Sequence, residues 1–248
     1  MTKRLLIAWL VLVAGLFTPI AAQKVRKETL EFEGKKRTYY VLVPAAAATP
    51  QHPVPVVMLL HGSGRDGMSL MDKWKDLAIK EGFIAVAPDA LSSEGWRAPV
   101  DGPDFLHEML SVLKAQYPID SHRMYLFGHS AGASFSLYMA LYESEYFAAA
   151  AIHAGALQHD DAFIVERAAR KIPIHIAVGD VDPFFPVAAV RATRDMLVAN
   201  GFQVGLTEMK GHNHWYYDLA PKINAEAWDF LKQQKLTDEP RYIQYNFK

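Results

Sequence analysis

The sequence contains no cysteine. That absence excludes disulfides, cysteine-ligated metal centres, thiol catalysis and a lipid-modified cysteine at a cleavage site. An excess of charge of either sign is missing too, with 26 Lys and Arg against 27 Asp and Glu. Such a balance gives no sign of nucleic acid or an acidic membrane surface as partner, so function has to reside in a site. There is no Asn-x-Ser/Thr acceptor, internal repeat, low-complexity tract or domain linker. What is present is apolar: 51% of the 248 residues are hydrophobic, enough for a sizeable core in one large domain rather than two.

The first 22 residues read as an address. MTKR carries two positive charges, LLIAWLVLVAGLF is a 13-residue apolar run, and TPIAA ends on small residues before Gln23. That is the layout of a secretory signal peptide. As a helix the apolar run spans ~20 Å, short of a ~30 Å hydrocarbon core. An uncleaved anchor or a buried N-terminal strand is the alternative. Cleavage is expected after Ala22, although Ile20 stands where a small residue is usual. Residues 23–248 would then form the mature domain, with 24 basic against 27 acidic residues and no stable membrane insertion. Export from a bacterial cell, to the periplasm or beyond it, fits a chain that its core alone must hold together.

Strand and helix patterns alternate along the rest. VRKETLEFEG and KRTYYVLVP read as two strands turning at Gly34, followed by a loop over residues 45–53. VPVVMLLHG, FIAVAPD, HRMYLFG, FAAAAIHAG, IPIHIAVGD and FQVGLTEMKG follow as strands, several of them continuous apolar runs of the kind buried on both faces. Helical periods occupy MSLMDKWKDLAIKEG, DFLHEMLSVLKAQYP, AGASFSLYMALYESE, VAAVRATRDMLVANG and INAEAWDFLKQQK. This alternation predicts a single α/β domain, its mainly parallel sheet covered by helices on both faces. The tail over residues 236–248 reads as a docked strand or a loose end.

The stretch MYLFGHSAGASF sets Ser130 between Gly128 and Gly132, where a buried strand meets a helix. Gly-x-Ser-x-Gly alone is a weak signal and also suits a tight turn with a helix-capping serine. A strand–turn–helix context sharpens it, because a nucleophile elbow holds its serine there with the hydroxyl exposed. A serine hydroxyl needs a base to take its proton, and that base needs a carboxylate. IHIAVGDVDPFFP supplies Asp180 and Asp182 after one strand, and LTEMKGHNHWYYD supplies His212 and His214 after the next.

GHSAG, GDVDPFFP and GHNHWYY, in that order, resemble the α/β-hydrolase esterases, and most closely the polyhydroxybutyrate depolymerase and feruloyl esterase-like secreted enzymes. LLHGSGRDG, VAPDA and DFLHEMLSVLKAQYPIDSHRMYLFGHSAG carry the same resemblance, which extends over nearly all of the mature chain. It implies Asp182 as the acid, from the G-x-x-D-P pattern, with Asp180 a turn former. It favours His214 over His212 as the base, leaving His212 to hydrogen-bond its own loop. The oxyanion hole would use the backbone N–H groups of Ala131 and Ser63, which leave no side-chain signature. Trp96, Phe184 and Trp215 are candidate substrate contacts, with Phe185 and Tyr216 beside the presumed acid and base. His61 would orient its loop, His153 is read as structural, and Arg167, Arg170 and Lys171 as a solvated helix face. His212, His214 and Asp218 could suggest a metal site, but the serine-centred reading already uses these residues, so no metal and no cofactor are implied.

Only 51 residues separate Ser130 from Asp182 and 31 separate Asp182 from His214. Predicted strands and helices consume both intervals, leaving nothing long enough for a lid. The expectation is therefore a secreted serine esterase with an open site. Its substrate would be an acyl group on something larger, such as a plant-wall polysaccharide or a polyester chain. A serine peptidase on the same fold, or a non-catalytic exported carbohydrate-binding homologue, are the competing readings.

Overall fold

The computed structural model describes residues 23–48 and 51–243. The expected signal peptide and the last five residues of the tail lie outside the described residues. The strands are β1 (Arg26–Phe32), β2 (Lys35–Leu42), β3 (Val54–Leu60), β4 (Ile84–Pro88), β5 (Ile119–His129), β6 (Ala149–His153), β7 (Ile174–Gly179) and β8 (Val204–Met209). The helices among the described residues are α1 (Gly67–Glu81), α2 (Asp104–Gln116), α3 (Ala131–Tyr142), α4 (Ala162–Arg167), α5 (Val187–Ala199) and α6 (Tyr216–Leu231).

All eight strands join one sheet in the order β1-β2-β4-β3-β5-β6-β7-β8. β1 and β2 form an antiparallel hairpin whose turn residues, Glu33 and Gly34, both have positive φ, as a tight two-residue turn requires. β2 pairs antiparallel with β4, and every pairing from β4 to β8 is parallel. β3 is buried along its whole length. Its side chains alternate, with Val57 and Leu59 packing into one core cluster and Val56, Met58 and Leu60 into another. The first cluster takes Leu70 and Trp74 of α1 with Ile223 and Trp228 of α6, and the second takes Phe105 and Met109 of α2 with Phe135 of α3. The sheet is thus covered on both sides, and the predicted fold class holds.

The chain leaves β3 for β4 on one side and returns through α2 to β5 on the other side of β3. Such a reversal opens a crevice at the carboxyl ends of the strands, where sheets of this kind bind their ligands.

Three elements differ from the sequence expectation. α6 begins at Tyr216, not near Ile223, and runs through Pro221. The proline removes one intrahelical donor, but buried Tyr216, Ala220 and Ile223 hold the helix against the sheet. α4, six residues long, is too short to show a helical period. The tail to residue 243 docks as an irregular segment, neither strand nor loose end. Leu236 N–H donates to His122 O at 3.0 Å and Arg241 N–H to Glu145 O at 2.9 Å. Tyr242 stacks on His107 with ring centroids 3.8 Å apart. Among the described residues no helix is long and apolar enough to cross a membrane.

Candidate active site

The turn between β5 and α3 is built around steric necessity. A Cβ at Gly132 would sit 1.9 Å from Leu60 O, and one at Gly128 would sit 2.1 Å from Gly132 O. α3 therefore starts in direct backbone contact with the end of β3, which only glycine permits. Ser130, between them, has φ 58° and ψ −121°, an unfavourable region for a residue with a Cβ. Its N–H donates to His153 O at 3.1 Å, and its own carbonyl accepts from Ala133 and Ser134 N–H. The strain presents the hydroxyl at the mouth of the crevice.

His214 reaches that hydroxyl from the loop after β8, its Nε2 lying 2.9 Å from Ser130 Oγ. Its Nδ1 lies 2.8 Å from Asp182 Oδ2. A carboxylate only accepts, so Nδ1 carries the proton and Nε2 has a lone pair for the serine O–H. Asp182 is buried, and its Oδ1 accepts from Phe184 N–H at 2.8 Å and Phe185 N–H at 2.9 Å. Both oxygens of this carboxylate are thus hydrogen-bonded, which fixes Oδ2 toward His214. Asp180 accepts from Gly211 N–H at 2.6 Å and ties the two loops together, consistent with a turn former.

A cleft of about 530 Å³ lies in front of the serine, lined by Ser63, Ser130, Ala131, Phe184, Phe185 and His214. The N–H groups of Ser63 and Ala131 donate to no protein acceptor among the described residues, whereas Gly64 N–H is committed to Ser93 O at 2.7 Å. Ser63 Oγ donates to Glu94 O at 2.7 Å, which fixes its loop. Phe184 is 71% exposed at the rim, with its ring centroid 4.9 Å from that of His214, and Phe185 stacks on His214 at 5.7 Å.

Two expected substrate contacts fall outside this lining. Trp96 donates its indole N–H to His61 O at 2.8 Å and packs between His61 and Phe135, so it clamps the loop behind the cleft. Trp215 lies beside His214 in sequence but carries the Arg65 guanidinium over its ring. The loop bearing Trp96 is further held by buried Asp101, which accepts from Arg37 at 2.6 Å and from Leu91 and Arg97 N–H at 2.9 Å.

The other histidines sort by their bonds. His61 Nε2 accepts from Ala90 N–H at 3.1 Å, so Nδ1 carries the proton and donates to Gly62 O at 2.9 Å. It orients its loop as expected. His212 does not bond its own loop through its ring; its Nε2 lies 3.1 Å from His153 Nε2. His153 Nδ1 lies in turn 3.0 Å from His129 Nδ1. These three rings are buried. Burial, aided by the neighbouring imidazoles, depresses His129 to about 3 and His153 to about 2, and burial lowers His212 as well. All three are neutral at pH 7. Among the described residues no cluster of three or more His, Asp or Glu could hold a metal ion.

A serine, an imidazole and a buried carboxylate in series, at the carboxyl ends of a mostly parallel covered sheet, are the arrangement of the α/β-hydrolases. Residues 31–230 match the Esterase family, described as "Putative esterase". The chain belongs to that family of carboxylic ester hydrolases. No curated protein matches it. Among solved structures it is similar to a thermostable esterase, at 22% identity and TM-score 0.68, over 86% of this chain and 63% of the other. An S-formylglutathione hydrolase from Agrobacterium tumefaciens shares 21% identity at TM-score 0.67, over 85% of this chain and 94% of its own. A ferulic acid esterase from the anaerobic fungus Anaeromyces mucronatus shares 20% at TM-score 0.66, over 82% and 89%. With 1204 solved chains matching, the fold by itself selects no substrate.

Proposed function

We propose that this esterase works through Ser130 as nucleophile, His214 as general base and acid, and Asp182 as the carboxylate that orients His214. The observation carrying this reading is the unbroken series from Asp182 Oδ2 through His214 to Ser130 Oγ, at 2.8 and 2.9 Å. Nε2 removes the hydroxyl proton as Oγ attacks the ester carbonyl carbon, and the carbonyl oxygen takes the negative charge. The N–H groups of Ser63 and Ala131 receive that oxyanion, a contribution of about 3–4 kcal/mol per donor in related chemistry. Collapse breaks the bond to the alcohol oxygen, which leaves with the proton held on Nε2. Water then gives a proton to Nε2 and attacks the acyl carbon. The acid departs and Ser130 regains its hydrogen. No cofactor or metal enters these steps.

The substrate is an acyl ester on a larger molecule, of the feruloyl- or acetyl-polysaccharide or hydroxyalkanoate type. Between Ser130 and Asp182 the chain is spent on α3, β6, α4 and β7, and between Asp182 and His214 on α5 and β8, so no cap narrows the approach to the cleft. Phe184 and Phe185 give it an aromatic wall suited to a short or aromatic acyl group. The protein acts after export, with Gln23 as its first residue. Purified mature protein should hydrolyse 4-nitrophenyl acetate, methyl ferulate and a 3-hydroxybutyrate oligomer, and Ser130→Ala should not. Preference for 4-nitrophenyl palmitate over these, or faster cleavage of an amide than of its ester analogue, would refute the assignment.

A further inference from the structure

Three buried imidazoles lie beneath the cleft and have no part in the proton transfers. Their bonds join the segments that carry the serine, the acid and the base. His153 ends β6, and its carbonyl accepts the Ser130 N–H at 3.1 Å, holding the elbow from below. Its ring bonds in two directions, through Nδ1 to His129, the residue before the serine, and through Nε2 to His212. His212 stands two residues before His214, and its carbonyl accepts Val181 N–H at 3.1 Å, one residue before Asp182. The same carbonyl passes so close to β7 that a Cβ at Gly179 would sit 2.0 Å from it. The His129 ring also lies against the His214 ring, with centroids 5.0 Å apart.

Apolar side chains would fill this space without six ring nitrogens to accommodate, and a buried polar group costs free energy unless it is bonded. The neutral imidazole is suited to the middle position because it donates through one nitrogen and accepts through the other. We propose that His153 and His212 are positioning residues: their Nε2–Nε2 hydrogen bond locks the base loop to the nucleophile elbow and thereby sets the reach of His214 to Ser130. This rests on the Ser130–His214–Asp182 reading above. A displacement of about 1 Å at a reacting pair can cost roughly 100-fold in rate.

The test is His212→Leu, which removes the bond, beside His212→Gln, whose terminal amide reaches the place of Nε2. Leucine should lower kcat about 10- to 100-fold with KM within about threefold of wild type. Glutamine should restore kcat to within about fivefold of wild type. The downfield proton resonance of His214 Nδ1–H on Asp182 supplies a readout independent of turnover, expected in wild type and in His212→Gln and lost in His212→Leu. His153→Phe cuts the same bond from the other side and serves if His212→Leu does not fold. Variants that melt earlier yet keep wild-type kcat and the downfield resonance would overturn the proposal, leaving a packing role. So would glutamine performing as poorly as leucine. A wild type without turnover would refute the ester chemistry instead, and the resonance would then decide the positioning role alone.

Discussion

Replacing Asp182 by asparagine tests the orientation of His214 with almost no change of volume. Oδ1 accepts two backbone N–H groups, from Phe184 and Phe185, at 2.8 and 2.9 Å. An asparagine has one oxygen, and only that oxygen can occupy the doubly donated position. Its NH₂ must then face His214 Nδ1, the position now filled by Oδ2 at 2.8 Å. Nδ1 becomes the acceptor, the ring proton moves to Nε2, and the nitrogen facing Ser130 Oγ no longer has a lone pair for the hydroxyl proton. The expected loss in kcat is about 10⁴-fold, the size seen when a triad histidine is held in the wrong tautomer, or about 5.4 kcal/mol of transition-state stabilisation. Both backbone bonds survive, so thermal stability should change little. The assay is kcat for 4-nitrophenyl acetate and the rate of labelling by a fluorophosphonate, each with a melting curve. A variant that melts like wild type and keeps kcat within tenfold would refute the tautomer reasoning.

Gly132→Ala should destabilise by about 3 kcal/mol or more, because the new Cβ meets the Leu60 backbone, which cannot move aside. For a chain of this size that is a fall of roughly 6–12 °C in Tm, and an unchanged melt would contradict the close contact. Acid should also weaken the fold. Burial depresses His129 to about 3 and His153 to about 2, whereas an unfolded histidine titrates near 6.5. The unfolded chain takes up these protons first, so stability is full above about pH 6.5. It declines toward pH 3, at up to about 1.4 kcal/mol per pH unit for each ring. Melts at pH 7.5 and 4.5 should show a larger fall for wild type than for His153→Phe, and equal falls would contradict this. Phe184→Ala, at a side chain 71% exposed, should leave Tm unaltered and raise KM for methyl ferulate several-fold more than for 4-nitrophenyl acetate. An equal change in both would remove Phe184 from acyl recognition.

The sheet was legible because β3 to β7 are apolar runs bounded by turn residues, a signal that tertiary packing reinforces. The start of α6 was not, since Trp215 to Tyr217 and Pro221 mask a helical period that burial of Tyr216 and Ala220 sustains. Ser130, Asp182 and His214 were legible as residue types in order after β5, β7 and β8, with the family resemblance choosing between neighbours. The structure brings those three together. Whether Trp96 lines the cleft or packs was not legible, because a loop tryptophan shows nothing in sequence of where its indole N–H goes. It goes to the His61 carbonyl. His153 reads in sequence only as the end of an alanine-rich strand. Its bonds to His129 and His212 span 24 and 59 residues, and no local pattern encodes contacts at such separation.

Rapid-quench mass spectrometry of the mature protein during turnover of an ester shows whether Ser130 carries the acyl group through the reaction. A transient mass increase equal to the acyl group is expected, mapped to the peptide containing Ser130 and absent from Ser130→Ala. Turnover with no covalent intermediate, or acylation at another residue, would contradict it.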